Sequence, residues 1–249
     1  MSGTNRMNKK HVRAAVAAMG MALLLSSCGG GLPDYDYQID MDKYEDSITV
    51  TDNSYLVLVN KQNPCGEGYA PEKLTVMASD LTLYGKEVKL ENKAALAAEA
   101  LVKELHARGY TDIVITSGYR DYAYQQILFN TYLGNEMAKH PDWTQAQCEA
   151  EVLTYSAKPG ESEHQTGLCV DLISVGYPSL DETFAENPAY AWLVENAHQF
   201  GFILRYPKGK EGMTGYSYEP WHYRFVGADA ATEIHERGLT LEEYLGILD

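Results

Sequence analysis

The sequence predicts an α+β domain, with a central, mainly antiparallel sheet and flanking helices. Three observations carry that expectation. Helix and strand signals are interspersed along the chain without a regular strand–helix–strand rhythm. The strand signals are short apolar runs: "DIVITS", "LCVDLISV", "FILRYP" and "WHYRFVG". The composition, 45% hydrophobic and 22% charged over 249 residues, suits one substantial core.

Ahead of that domain, Arg6, Lys9, Lys10 and Arg13 form a basic stretch free of acids. The run "AAVAAMGMALLL" (Ala14–Leu25) is apolar but too short for a stable membrane span. Leu25-Ser26-Ser27-Cys28 follows, and the whole resembles a bacterial lipoprotein signal. The resemblance implies a signal peptide at 1–27, cleavage before Cys28, a lipid on its sulfur, and an extracytoplasmic protein lipid-anchored to the bacterial cell membrane. The alternative is a plain secretory signal in which Cys28 is incidental. Four of the 20 basic residues fall within 1–27, leaving 16 against 35 acids, a net charge of −19. Such a chain repels nucleic acid, and no nucleic-acid partner is expected.

Residues 28–53, rich in Gly, Asp and Tyr, read as a solvated acidic spacer, with a short strand near Ile48 and Val50. The domain proper is expected over 54–249. "YLVLVN" (Tyr55–Asn60) is a β-rich apolar run closed by a Pro- and Gly-dense loop. From Glu91 to Arg108 an Ala- and Leu-rich helix is expected, with Ala97, Leu101 and Leu105 as its stripe and Gly109 as its stop. A buried strand, "DIVITSGYR", runs into a turn, and a helix follows from Tyr122 to Met137. Thr144 and Gln147 form a capping box for the next helix, which reaches about Ala157. "KPGESEHQTG" breaks that helix, and "LCVDLISV" reads as a central strand. "NPAYAWLVENAHQFG" is a capped helix with Trp192, Leu193, Ala197 and Phe200 turned inward. Two strands and two helical segments complete the chain.

Two segments carry chemistry. "SEHQTGLCVDL" (Ser162–Leu172) sets His164 and Asp171 seven positions apart, with Asp171 among apolar neighbours. In "EPWHYRFVG", Pro220 keeps Glu219 and His222 off a helix, so the pair begins a strand. Two histidines and a carboxylate are the three-ligand set of catalytic zinc, and a second carboxylate can move the water proton. The same residues also suit a satisfied hydrogen-bonded cluster, and spacing alone leaves both readings open.

The blocks "SGYRDYAYQQ" (Ser117–Gln126), "SEHQTGLCVDL" and "EPWHYRFVG", in this order, resemble the signatures of the VanY-type zinc D-alanyl-D-alanine carboxypeptidases. VanX-type dipeptidases and L,D-carboxypeptidases are relatives of that family. "LVNKQNP" (Leu58–Pro64) and "WLVENAHQFGFILRYP" (Trp192–Pro207) extend the likeness. It implies a Zn2+ site at the sheet, held by His164, Asp171 and His222, with Glu219 as base and proton shuttle for a zinc-held water. Arg120 corresponds to the cation that steadies the scissile carbonyl. Gln125 and Ser162 correspond to groups that orient the terminal D-residue, and Ser117 has a turn-forming or substrate-binding role. The implied activity is D,D-carboxypeptidase cleavage of the C-terminal D-alanine of peptidoglycan stem peptides or precursors. The alternatives are L,D-carboxypeptidase action on tetrapeptide stems and a non-catalytic wall-binding lipoprotein.

Cysteines depart from the family pattern. Cys169 stands where a small residue such as alanine is usual, and it shares the face of Asp171 in a regular strand. It is expected as a small buried thiol, the alternatives being a soft metal ligand or a disulfide partner of Cys148. Cys65 stands where an apolar residue is more usual. His106, His140, His198 and His235 lack partners at ligand spacing and read as surface or satisfied histidines.

Overall fold

Two apolar periodicities meet at the centre of the fold, one of period two on the strands and one of period 3.6 on a long helix. The computed structural model describes residues 31–247; the signal segment 1–27 and the Cys28 lipidation site lie outside the described residues. In chain order the helices are α1 (Glu45–Ile48), α2 (Asn92–Ala107), α3 (Tyr122–Lys139), α4 (Gln145–Tyr155), α5 (Pro188–Asn196), α6 (Glu211–Thr214), α7 (Ala228–Arg237) and α8 (Leu241–Tyr244). The strands are β1 (Leu74–Val76), β2 (Lys89–Glu91), β3 (Ile113–Ser117), β4 (Cys169–Ser174), β5 (Phe202–Leu204) and β6 (His222–Phe225).

Strands β3, β4, β6 and β5 form one antiparallel sheet in that spatial order, and β1–β2 form a small antiparallel ribbon. The expected α+β fold with an antiparallel sheet is therefore the one observed. Along β4 and β6 the side chains divide by parity. Val170, Leu172, Tyr223 and Phe225 join the main core, together with the inward stripe of α2 that includes Ala97, Leu101 and Leu105. Cys169, Asp171, His222 and Arg224 alternate with them on the opposite side of the sheet. Fully burying each Leu of that stripe contributes about 1.5–3 kcal/mol. Glu91 caps α2 by accepting from the amides of Lys93 and Ala94, and the Thr144–Gln147 capping box of α4 is formed as expected.

Four expectations are corrected. Residues 32–50 are not a solvated spacer, because Met41, Tyr44, Ile48 and Val50 are buried in the main core and Tyr35 and Tyr37 pack against it. Hydrogen bonds from Tyr44 Oη to Glu99 (2.8 Å) and from the Gln38 amide to Glu104 (2.9 Å) fasten the segment to α2. Near Ile48 the chain forms helix α1, not a strand.

The run Tyr55–Asn60 is not a strand either. Both sides of β6 are taken by β4 and β5, so the run cannot pair with that strand. Arg224 donates instead to the carbonyls of Tyr55 (3.0 Å) and Val57 (2.7 Å). Tyr55 and Val57 pack on the main core, while Leu56 and Leu58 turn to a second cluster of Ile203, Val226, Ile234 and Leu241.

The candidate bridge Cys148–Cys169 is not formed, and Cys65, Cys148 and Cys169 are all free thiols. Cys148 is buried on α4, whereas Cys169 faces two histidine rings across the sheet.

Candidate metal centre

Antiparallel register builds the centre. Asp171 on β4 is the direct partner of His222 on β6, and directly opposed residues project to one face. Asp171 Oδ1 lies 3.1 Å from His222 Nδ1. His164 arrives from a single 3-10 turn, Glu163–Thr166, which ends at Gly167 with φ +68°. A Cβ on Gly167 would stand 2.8 Å from the Glu91 amide nitrogen, so only glycine permits this approach. The turn brings His164 Nε2 to 3.3 Å from Asp171 Oδ2. Glu219 enters from the loop before β6, its Oε2 3.6 Å from His222 Nδ1. His164, Asp171 and His222 are each no more than 4% exposed.

Both imidazoles are oriented by their outer nitrogens. His164 Nδ1–H donates to the Gly118 carbonyl at 2.6 Å, which turns Nε2 toward Asp171. Gly118 is tightly held, since a Cβ there would lie 2.5 Å from the Lys89 carbonyl oxygen. His222 Nε2 faces Glu163 Oε2 at 3.4 Å, which turns Nδ1 toward Asp171. Two ring nitrogens and a carboxylate thus converge, each ring fixed by a partner of the kind that metal-ligating histidines use.

The electrostatics tell the same story. Against the burial that would raise it, His164 and His222 hold the Asp171 carboxyl well below its usual range. Burial pushes the rings down, but Cys169 and Asp171 hold His222 well above the ordinary value and bring His164 up to about 9. Glu219 behaves oppositely: burial dominates over His222 and pushes it up to about 7. Protons on the rings here stand where a divalent cation would satisfy Asp171, and a nitrogen and carboxylate donor set fits zinc.

Cys169 belongs to this cluster. The ligand atoms of His164, Cys169 and His222 all lie within 4.8 Å of one another. The thiol is fully buried, and His164 and His222 overcome burial to bring it down to about 7.

A cavity of about 330 Å³ opens onto the centre, lined by Arg120, Gln125, Ser162, His164, Asp171, Glu219 and His222 among others. Gln125 Nε2 donates to the Ala157 carbonyl at 2.8 Å, and its Oε1 is buried with no partner. The Arg120 Nε is likewise buried, with no partner among the described residues. Of the expected residues Ser117 is not brought to this cavity. It pairs with Asp171 at a break in the β3–β4 register and lines a separate groove with Arg120 and Tyr124.

Sequence reasoning missed the cavity walls, Tyr132, Tyr155, Tyr206 and Tyr216, and the support behind His222. Glu163 Oε1 accepts from Arg205 Nε (2.7 Å) and from an Arg224 terminal nitrogen (2.9 Å). Arg205 in turn makes a two-pronged pair with Glu242 of α8 at 2.6 and 2.8 Å. All four groups are essentially inaccessible. The position of Glu163 inside "SEHQTG" was the one available signal. Of the remaining histidines, His198 does have a histidine partner: it stacks on His235 with ring centroids 4.0 Å apart.

Comparison with known proteins places these residues in a wider frame. The VanY D-alanyl-D-alanine carboxypeptidase family model matches residues 87–228. A D-alanyl-D-alanine carboxypeptidase of Enterococcus faecalis is 41% identical over 190 residues, 76% of this chain; the match spans 65% of that relative's length. Among solved structures, a vancomycin resistance D,D-pentapeptidase VanY from a VanB-type cassette, in complex with Zn(II), is similar at 40% identity. The superposition covers 77% of this chain and 98% of that one, with a TM-score of 0.65. The LdcB LD-carboxypeptidase is similar at 37% identity over 78% and 87% of the two chains, with a TM-score of 0.66.

Proposed function

This chain belongs to the VanY D-alanyl-D-alanine carboxypeptidase family, and from that premise we propose that it is a zinc-dependent D,D-carboxypeptidase. Its substrates are peptidoglycan stem peptides or their precursors, from which it removes the C-terminal D-alanine. The observation that carries this reading is the convergence of His164, Asp171 and His222 beside Glu219, a carboxyl pushed up to about 7 at the floor of the cavity.

His164 Nε2, His222 Nδ1 and the Asp171 carboxylate would hold the zinc. Bound there, zinc supplies a Lewis acid that stabilises negative charge on oxygen and makes water nucleophilic at neutral pH. Glu219 takes the proton from the attacking water and passes it to the departing amine of D-alanine. Burial acts to raise the Glu219 carboxyl, the direction that suits a group that must both take and return a proton. The unpaired Nε of Arg120 gives its guanidinium a free donor for the oxyanion of the tetrahedral intermediate. Gln125 Oε1, held by the bond from Nε2 to Ala157, offers an acceptor for a peptide N–H, and Ser162 offers a hydroxyl to the same cavity.

A second reading is L,D-carboxypeptidase cleavage of tetrapeptide stems, favoured by the likeness to the LdcB LD-carboxypeptidase. Mass analysis of products from pentapeptide and tetrapeptide stems, incubated with zinc-loaded protein, distinguishes the two. Loss of one D-alanine from the pentapeptide alone supports the first reading; cleavage of the tetrapeptide supports the second. Intact peptides that nonetheless bind would instead support a wall-binding role. For localisation, the lipoprotein-like segment ending at Cys28 supports lipid anchoring outside the cytoplasm. Cys28→Ala should release the protein from membranes, and persistent membrane association would overturn that anchor.

A further inference from the structure

Cys169 is placed for ligation more than for packing. A thiol needed only to fill the core would sit among Val170 and Leu172, on the side of β4 that meets α2. Cys169 alternates with them and shares the side of Asp171, opposite Arg224 in the ladder. It is fully buried, and its sulfur lies within 4.8 Å of a ring nitrogen of His164 and of a ring nitrogen of His222, which are themselves no farther apart. Cys148, equally buried on α4, joins no such group among the described residues. The contrast is between two buried thiols in one chain, only one of which faces two imidazoles.

We propose that Cys169 is a fourth protein donor to the metal centre, so that the substrate-free site binds its metal through two histidines, one aspartate and one thiolate. The proposal rests on the zinc reading above and deepens it. Ligation forms a metal–sulfur bond and releases the thiol proton to solvent. Zinc accommodates a fifth donor during turnover, so the sulfur and a water position are compatible. A thiolate in the set raises affinity for zinc, cobalt and cadmium over magnesium and manganese, which prefer oxygen donors.

Cobalt(II) is the probe. Full-length protein is stripped of metal, loaded with one equivalent of cobalt(II), and its absorption compared with that of Cys169→Ala. The expected wild-type spectrum combines visible d–d bands with an intense near-ultraviolet thiolate-to-cobalt charge-transfer band. Cys169→Ala keeps the d–d bands and loses the charge-transfer band. Its zinc affinity, measured by chelator competition, falls at least as far as the ~10-fold that loss of an outer-shell partner costs. Wild-type d–d bands without a charge-transfer band overturn the role of Cys169 while leaving the histidine–aspartate site standing, whether or not the variant folds. A charge-transfer band that persists in Cys169→Ala also overturns it, because the sulfur would then come from another cysteine. Absence of any bound-cobalt bands overturns the metal reading itself, and this proposal with it.

Discussion

Glu163 and His222 meet in the interior of the protein, carboxylate Oε2 to imidazole Nε2 at 3.4 Å, although they are 59 residues apart in the chain. The other oxygen of Glu163 is shared by two buried arginines, which together hold its carboxyl well below the usual range against the burial that would raise it. A fixed, ionised carboxylate behind Nε2 keeps the proton on that nitrogen and turns Nδ1 toward Asp171. The same carboxylate thus serves both the core and the metal centre.

Glu163→Gln should therefore lower stability and metal affinity together. Removing the charge leaves Arg224 without its carboxylate and Arg205 with Glu242 alone, a change that costs about 3–5 kcal/mol for a buried pair. Zinc affinity should fall about 10–100-fold. Urea unfolding gives the first quantity and chelator competition the second. Unchanged zinc affinity in a folded variant would remove Glu163 from the support of His222.

Glu219→Gln separates chemistry from binding. The amide keeps the shape of the carboxyl but neither takes nor returns a proton, and Glu219 is outside the proposed ligand set. Turnover of a pentapeptide stem should drop by about 10²–10⁴-fold, with zinc content by metal analysis near wild type. Full turnover in the variant would assign the proton transfer to another group.

Arg120→Ala tests the oxyanion. The guanidinium lines the cavity with its Nε unpaired, so the side chain holds a donor in reserve for the substrate. Its loss should lower kcat by about 10²–10³-fold, the scale of removing one oxyanion donor. A change confined to KM would show that Arg120 contributes ground-state binding only.

The proposed ligand residues were legible in the sequence because they sit in short, ordered blocks, and period-two alternation puts Asp171 and His222 on the side of their strands opposite the core residues. The support behind them was not. Glu163 depends on Arg205 and Arg224, 42 and 61 residues away, and no local pattern announces a buried charge network. The run Tyr55–Asn60 has a strand's composition, but strand formation needs a free edge, and β6 has none to offer. Residues 32–50 look solvated in sequence because their tyrosines stand among acids. A tyrosine ring buries like phenylalanine once its hydroxyl finds a partner, as Tyr44 does at Glu99. Cys169 was expected to be buried, and it is; its facing both imidazoles depended on how the His164 turn folds back over the sheet.

His198 should titrate far below an ordinary histidine. Burial, and then the stacked His235, bring it down to about 4. The amide Nε2 of Gln199 donates to His198 Nε2 at 2.7 Å, a bond that only the unprotonated nitrogen accepts. Its Nδ1 is buried with no partner, and Lys208 and Lys210 line the same pocket, so nothing there favours a positive ring. The sign follows from proton counting. Between about 4 and the unfolded value of 6.5, the unfolded chain binds a proton at this position that the folded chain does not. The stability that His198 contributes is thus fully present above 6.5 and is lost as the pH falls through that window. Replacing His198 with a neutral aromatic, His198→Phe, should flatten the decline of unfolding midpoint between pH 6.5 and 4.5. An NMR titration supplies the direct measurement: the His198 ring protons should stay at their neutral shift down to pH 5, whereas a midpoint near 6.5 would contradict the burial argument.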